Sequence, residues 1–437
     1  MGVRPAIEVV MIIDSTGAFR TRTHIPRAVF VALLLAACGE PNEPDVGDGT
    51  WVGAWAAAPG DSGPTYSDQS LRLVLTPLRG GESARVRLSN RFGSGPVTFR
   101  SAFLGRQASG PALVDGSNVP LRFDGADEVT VPAGAEVVSD PVAFSFAAFE
   151  QLAVSLFVPA PGGATQHFAA RQTSYVGAGD VAADEAGNPF EMTMTSRPFV
   201  VGVDVVAPEG HGVVVAIGDS ITDGDQRDAM FAEVSVDADA RYPDFLARRV
   251  SESMAGTSVI NLGISGNRVL RPGIFPFAGP SLVSRIESDV LHRSDVTDVI
   301  LLQGINDLAL DPQPSAAEVL AGLEAAVALL KEASGPNGPP NVLVGTLTPA
   351  GGAAGSFGPL YADADGRRRE VNEAIRAGAL GDGFVDFDRA VQDPEDPSRL
   401  AADYDGGDGL HLSPAGYERM AEEVDLSLLQ GAAVGSR

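Results

Sequence analysis

Hydrophobic and polar positions change rhythm once along this chain. From Trp51 to about Pro208, apolar residues alternate with polar ones in short runs, the two-residue period of a strand. Ser70–Pro77 and Ala84–Ser89 carry it, and Val97–Leu104, Leu152–Val158 and Phe199–Val206 read the same way. Turn-forming clusters separate the runs, among them Arg79-Gly-Gly-Glu82 and Ala160-Pro-Gly-Gly163. Several short strands with no long helical period predict a β-sandwich or jelly roll over residues 51–207.

From His211 the rhythm becomes strand–helix alternation. Val213–Ile217, Val259–Leu262, Val299–Leu302, Val342–Thr346 and Phe384–Phe387 are short apolar runs, suited to strands buried on both faces. Helical spacing covers Pro243–Met254, Leu282–Leu291, Ser315–Ala333 and Arg367–Ala377. Ser413 as N-cap and Pro414 in the first turn open a last helix. Residues 208–437 are therefore expected to form an α/β domain of about five parallel strands with helices on both faces.

Composition narrows the class. A length of 437 residues fits two or three domains, and 44% hydrophobic residues are enough for full cores. Asp and Glu outnumber Lys and Arg by 57 to 31, a formal net charge of −26. Such a surface repels phosphate backbones, so no nucleic-acid partner is expected. The single cysteine, Cys38, excludes an internal disulfide. It ends an export-like stretch: Arg20, Arg22 and Arg27 precede the ten-residue apolar run Ala28–Ala37. That run is too short to span a bilayer and fits the apolar core of a signal peptide. Leu35-Ala36-Ala37-Cys38-Gly39 resembles a bacterial lipobox. The resemblance implies a lipid on Cys38, hence export and anchoring at the cell envelope; an ordinary secretory signal cut near Ala37 is the alternative. Glu8 and Asp14 do not suit a signal peptide, so translation is expected to start downstream of Met1. Residues 1–37 are thus a signal region, and the polar, Pro/Gly-rich residues 38–50 a flexible linker.

In open α/β sheets, ligands bind beyond the carboxyl ends of the strands. Four segments fall there: Gly218-Asp219-Ser220, Gly266-Asn267, Gly304-Ile305-Asn306-Asp307 and Asp408-Gly409-Leu410-His411. Ser220, at a strand-to-helix turn, exposes a hydroxyl, although an ordinary N-cap serine would look the same. Five histidines are available as a base. His24 lies in the signal region, His167 in the β-rich part, His211 at the wrong end of the sheet and His292 at a helix end. His411 remains. Asp408 lies one turn before it, with Asp403 and Asp405 as rivals that otherwise belong to a solvated acidic loop. Gly266 offers a backbone N–H and Asn306 a side-chain N–H, the donors an oxyanion needs. Asp219 and Asp307 suit supporting hydrogen bonds. Together these are the parts for hydrolysing an ester through an acyl-serine intermediate. Asp223, Asp225, Asp228, Asp237 and Asp239 lack calcium-loop spacing, and no histidine pair has zinc spacing. No metal is expected, and these aspartates read as a solvated acidic loop.

The four segments resemble the signature blocks of the SGNH (GDSL-type) hydrolase superfamily over about residues 208–430. The resemblance implies a flavodoxin-like three-layer domain, no cofactor, and hydrolysis of esters or thioesters. It assigns Ser220 as nucleophile, Asp408 and His411 as its triad partners, and Ser220 N–H, Gly266 and Asn306 as the oxyanion hole. Upstream, Trp51–Pro59 and Val86–Gly93 are similar to two-domain bacterial members that resemble xylan-associated acylhydrolases. The acidic excursion Asp225–Arg241 is longer than the superfamily pattern and lies where it would shape the cleft entrance. The expected substrate is a small acyl ester or an acetylated polysaccharide. Two other functions fit the same residues. One is a surface carbohydrate-binding protein acting through its β-domain. The other is a longer-chain lipase or thioesterase with Ile274-Phe-Pro-Phe277 lining its acyl pocket.

Overall fold

A computed structural model describes residues 49–207, 211–226, 234–293, 295–332 and 338–431. The signal region, Cys38 and nearly all of the linker expected at 38–50 lie outside the described residues, as does Asp228.

Residues 50–207 form antiparallel sheets. One sheet holds Thr50–Ala56, Val200–Ala207 and Gly81–Ser89 side by side, with Glu136–Val138 and Val142–Phe146 beyond. A seven-stranded sheet centres on Gln69–Leu75, Leu152–Val158 and Ser101–Ser109. Two details depart from simple alternation. The expected strand Val97–Leu104 breaks at Arg100, whose amide bonds the Phe157 carbonyl (3.1 Å). All seven residues of Leu152–Val158 are buried, because this strand is covered on both faces. The neighbouring Arg72 is fully buried too. It donates to Ser155 Oγ (3.0 Å) and to carbonyls of Pro111 and Asp184, and lies over the Phe190 ring at 4.1 Å. Its partners satisfy a charge that water would otherwise have to solvate.

Residues 212–423 form a five-stranded, all-parallel sheet in the spatial order Thr257–Gly263, Gly212–Gly218, Val296–Leu302, Asn341–Gly345, Gly383–Val385. This is the flavodoxin-like 2-1-3-4-5 order, with its switch point beside Gly212–Gly218. Helices Tyr242–Ser253, Ala316–Lys331, Asp365–Arg376 and Pro414–Glu423 accompany it. Ser315 closes a capping box with Glu318, and Ser413 caps the last helix through Gly416 N–H. The expected helix Leu282–Leu291 is α-helical only to Ile286. Over Glu287–Leu291 it widens into a π turn, and the His292 amide bonds the Glu287 carbonyl (3.0 Å). The last strand stops at Val385 because the Asp386 side chain caps the helix Phe387–Val391.

The β-rich and α/β parts share one apolar cluster. Buried polar ties join them as well. Gly53 N–H donates to Asp295 Oδ2 (2.6 Å), Ser258 Oγ donates to the Gly53 carbonyl (2.7 Å), and Arg91 pairs with Asp289 (2.6 Å). No helix among the described residues is long and apolar enough to cross a membrane.

Candidate active site

The strand Gly212–Gly218 delivers Ser220. Gly218 permits no side chain, because a Cβ there would lie 2.3 Å from both the Leu302 carbonyl and Thr222 Oγ1. The chain turns at Asp219, whose carboxylate accepts from Ile221 N–H (3.1 Å), and Ser220 begins a four-residue helix. Burial pushes the Asp219 pKa up to about 7.

Ser220 Oγ lies 2.9 Å from His411 Nε2, and His411 Nδ1 lies 2.7 Å from Asp408 Oδ2. With its proton on Nδ1, the imidazole donates to Asp408 and accepts from the serine hydroxyl. The other Asp408 oxygen accepts the N–H groups of Leu410 (2.9 Å) and His411 (2.8 Å), which locks the carboxylate in place. Burial opposes its charge, but the hydrogen bond and charge of His411 and those two amides hold its pKa below the ordinary range. For His411, burial pushes the pKa down; Asp225 and then Asp408 outweigh it, Arg171 offsets part, and the net shift is upward. Asp405 instead accepts Gly407 and Gly409 N–H (2.8 and 3.0 Å) and shapes the loop, while Asp403 gives its carbonyl to Ser413 Oγ.

The other two segments meet this trio. Gly266, at φ 77°, lines the same cleft, and that left-handed conformation suits glycine. Asn306 Nδ2 donates one hydrogen to the Asn267 carbonyl (3.0 Å), and its Oδ1 accepts from Tyr361 OH (2.8 Å). The amide plane is thus held at both ends. Asp307 accepts the N–H groups of Val269 (2.7 Å) and Leu270 (3.0 Å), ordering the loop that carries Gly266.

The cleft has a volume of about 390 Å³. Ser220, Asp225, Ser265, Gly266, Asn306 and His411 supply its polar side. Leu310, Phe357, Tyr361 and Leu410 wall the rest, with Ile274, Phe275 and Leu360 at its exposed rim. Phe275 stacks on Phe277 (centroids 5.2 Å) and Phe277 on Phe168 of the β-rich part (4.7 Å).

Several residues here had no local sequence signal. Arg285, fully buried, donates to the carbonyls of Gly218 (2.9 Å) and Leu262 (2.8 Å) and to Asn267 Oδ1 (3.1 Å), binding two strand ends just behind Ser220. The acidic loop after Ser220 also differs from expectation. Asp223 and Asp225 are buried rather than solvated. Their partners come from the β-rich part: His167 Nε2 lies 3.1 Å from Asp223 Oδ1, and the Arg171 guanidinium Nη1 lies 3.2 Å from Asp225 Oδ1. Burial penalises the Asp223 charge, but His167, Arg171 and Ser265 outweigh it and bring its pKa down to about 2. Asp239 accepts from Thr76 Oγ1 (2.9 Å), and Asp237 accepts from Thr173 N–H and Oγ1 (both 2.6 Å). His167, set aside as a base because of its position, serves in this interface.

Residues 216–419 match the model of the GDSL-like Lipase/Acylhydrolase family. Solved structures similar to the chain include the native aryl esterase of M. smegmatis (19% identity over 48% of this chain and 95% of that one, TM-score 0.40). Another is Est24, a carbohydrate acetylesterase from Sinorhizobium meliloti (19%, 48% and 94%, TM-score 0.38). An active-site mutant of a family two carbohydrate esterase from Clostridium thermocellum is similar over 86% of this chain and 96% of that one (15% identity, TM-score 0.36). No curated protein matches. The α/β part of the protein, over residues 216–419, belongs to the GDSL-like lipase/acylhydrolase family of the SGNH superfamily.

Proposed function

We propose that the protein hydrolyses short-chain, acetyl-type esters through an acyl-serine intermediate. The observation that carries this reading is the series Ser220–His411–Asp408, joined at 2.9 and 2.7 Å on the wall of a cleft. Ser220 Oγ attacks the ester carbonyl carbon as His411 Nε2 takes its proton. Asp408 steadies the imidazolium that forms. The Ser220 and Gly266 N–H groups and the remaining Asn306 N–H receive the oxyanion. When the tetrahedral intermediate collapses, the C–O bond to the alcohol breaks and His411 returns the proton to that oxygen. Water, activated by His411 in the same way, then releases the acid and restores Ser220.

The cleft volume, near the lower bound for small-molecule sites, favours a short acyl group on a small ester or an acetylated polysaccharide. One observation favours the longer-chain reading: Ile274, Phe275 and Leu360 are 48%, 53% and 42% exposed at the rim. A series of p-nitrophenyl esters of rising chain length, plus acetyl-xylan, decides between them. Maximal kcat/KM at acetate or propionate supports the first reading, and a maximum at long chains supports the second. Ser220→Ala abolishes turnover of every member with the fold intact; full activity in that variant refutes the acyl-serine route.

We further propose export with a lipid anchor at Cys38. An intact-mass spectrum of membrane-extracted protein bearing an unmodified Cys38 overturns it.

A further inference from the structure

One side chain of the β-rich part reaches the candidate active site. Arg171 is 5% exposed and sits at φ 53°, a left-handed conformation uncommon for a side-chain-bearing residue. Its Nε donates to the Asp223 carbonyl (3.2 Å), its Nη2 to Ser265 Oγ (3.0 Å), and its Nη1 to Asp225 Oδ1 (3.2 Å). The other Asp225 oxygen, Oδ2, lies 3.9 Å from His411 Nε2. That nitrogen already faces Ser220 Oγ at 2.9 Å. Two oxygens therefore compete for one nitrogen. Once the imidazole is protonated, a carboxylate is the stronger acceptor of the two.

We propose, resting on the acyl-serine reading above, that Arg171 is a positioning residue: by gripping Asp225 it keeps that carboxylate beside His411 without letting it displace Ser220 from Nε2. At 3.9 Å the carboxylate stabilises a developing imidazolium through space. At hydrogen-bond distance it would hold the proton that the leaving alcohol needs. The β-rich part is thereby a component of the active site.

Among the described residues, charged and titratable groups meet at this contact from several elements, and Arg171 Nη2 also lies 3.8 Å from Asp223 Oδ2. His411 faces Asp408 through Nδ1, and Asp225 with Arg171 behind it at Nε2; the Asp219 carboxyl lies close enough to feel its charge. Asp225 faces Arg171 and His411, and its carbonyl accepts from Tyr417 OH (2.5 Å). Of these, Asp225 favours the charged imidazole and Arg171 opposes it.

The test is the pH dependence of kcat and KM for p-nitrophenyl acetate, measured on the full chain. The variants are Arg171→Met, Asp225→Asn, their double mutant and Ser220→Ala. Arg171→Met lowers kcat on the order of tenfold or more with little change in KM, and moves the acid limb of the profile to higher pH. Asp225→Asn moves that limb to lower pH. The double mutant recovers kcat toward wild type, which a packing role for Arg171 would not produce. A double mutant no faster than Arg171→Met overturns the proposal, as does an Asp225→Asn acid limb at the wild-type position. If Arg171→Met does not fold, the isosteric Asp225→Asn decides alone through its acid limb. An active Ser220→Ala would instead overturn the acyl-serine reading, so the two failures are distinguishable.

Discussion

Tyr361→Phe removes one oxygen at the centre of the candidate oxyanion site and leaves the ring beside Phe357 (centroids 5.4 Å). In the native protein the Tyr361 hydroxyl holds Asn306 Oδ1 at 2.8 Å while Asn306 Nδ2 holds the Asn267 carbonyl at 3.0 Å. Without the hydroxyl the amide is fixed at one end only. A lost neutral hydrogen bond costs about 1 kcal/mol, rising toward about 3 kcal/mol if Oδ1 stays buried and unpaired. To the extent that this restraint aims the second Asn306 N–H at the transition state, kcat falls by about fivefold at the lower figure and about a hundredfold at the upper. Steady-state kinetics with p-nitrophenyl acetate measure it, with KM moving much less than kcat. Asn306→Ala, which removes the donor outright, loses on the order of a hundredfold to a thousandfold. The double mutant is no slower than Asn306→Ala, because Tyr361 acts through Asn306. A Tyr361→Phe enzyme within about twofold of wild type refutes the reasoning, and so does a double mutant far slower than Asn306→Ala.

Asp408→Asn leaves Nδ1 facing an amide in place of a charge, and kcat drops by about four orders of magnitude while circular dichroism stays native. The pH–rate profile of the wild type falls on the acid side as His411 protonates. Because the His411 pKa is raised, that limb lies above the ordinary imidazole value of 6.5; a limb below it contradicts the assignment of charges around Nε2. Asp223→Asn lowers stability at pH 7 by about 2 kcal/mol, as expected for a carboxylate depressed from 3.8 to about 2. A depressed carboxylate stabilises the fold above its unfolded pKa, so the gap between wild type and variant closes as pH falls from about 4 through about 2. Denaturant titrations across that range check it.

Much of this architecture is legible in the sequence, because it rests on local rules. Leu152–Val158 shows as an alternating run, the five parallel strands show as short apolar runs, and Ser413-Pro414 marks the last helix. The first three site segments show because each follows a strand end within a few residues, and Asp408–His411 because it lies just before the Ser413-Pro414 start of the last helix. The features that were not legible depend on partners far away in sequence. Asp223 and Asp225 look solvated until His167 and Arg171, more than 50 positions upstream, are brought against them. Arg72 and Arg285 look like surface cations, yet loop carbonyls accept from Arg72 and the carbonyls of two strand ends accept from Arg285. Tyr361 joins the candidate oxyanion site only when the helix Pro359–Asp363 brings its hydroxyl to Asn306. Alternation reports which face of a strand is apolar. It does not report that a second layer covers the other face, as happens to Leu152–Val158.

The first strand, Thr50–Ala56, pairs with Val200–Ala207, while its Gly53 gives an amide to Asp295 and takes a hydrogen bond from Ser258. A single nick between Ala207 and His211 would therefore sever the chain without severing the molecule. The two fragments would stay associated through buried polar ties and a common apolar cluster, as a non-covalent heterodimer. Made separately and mixed, they would regain activity by complementation, at a rate set by their concentrations and not by either fragment alone.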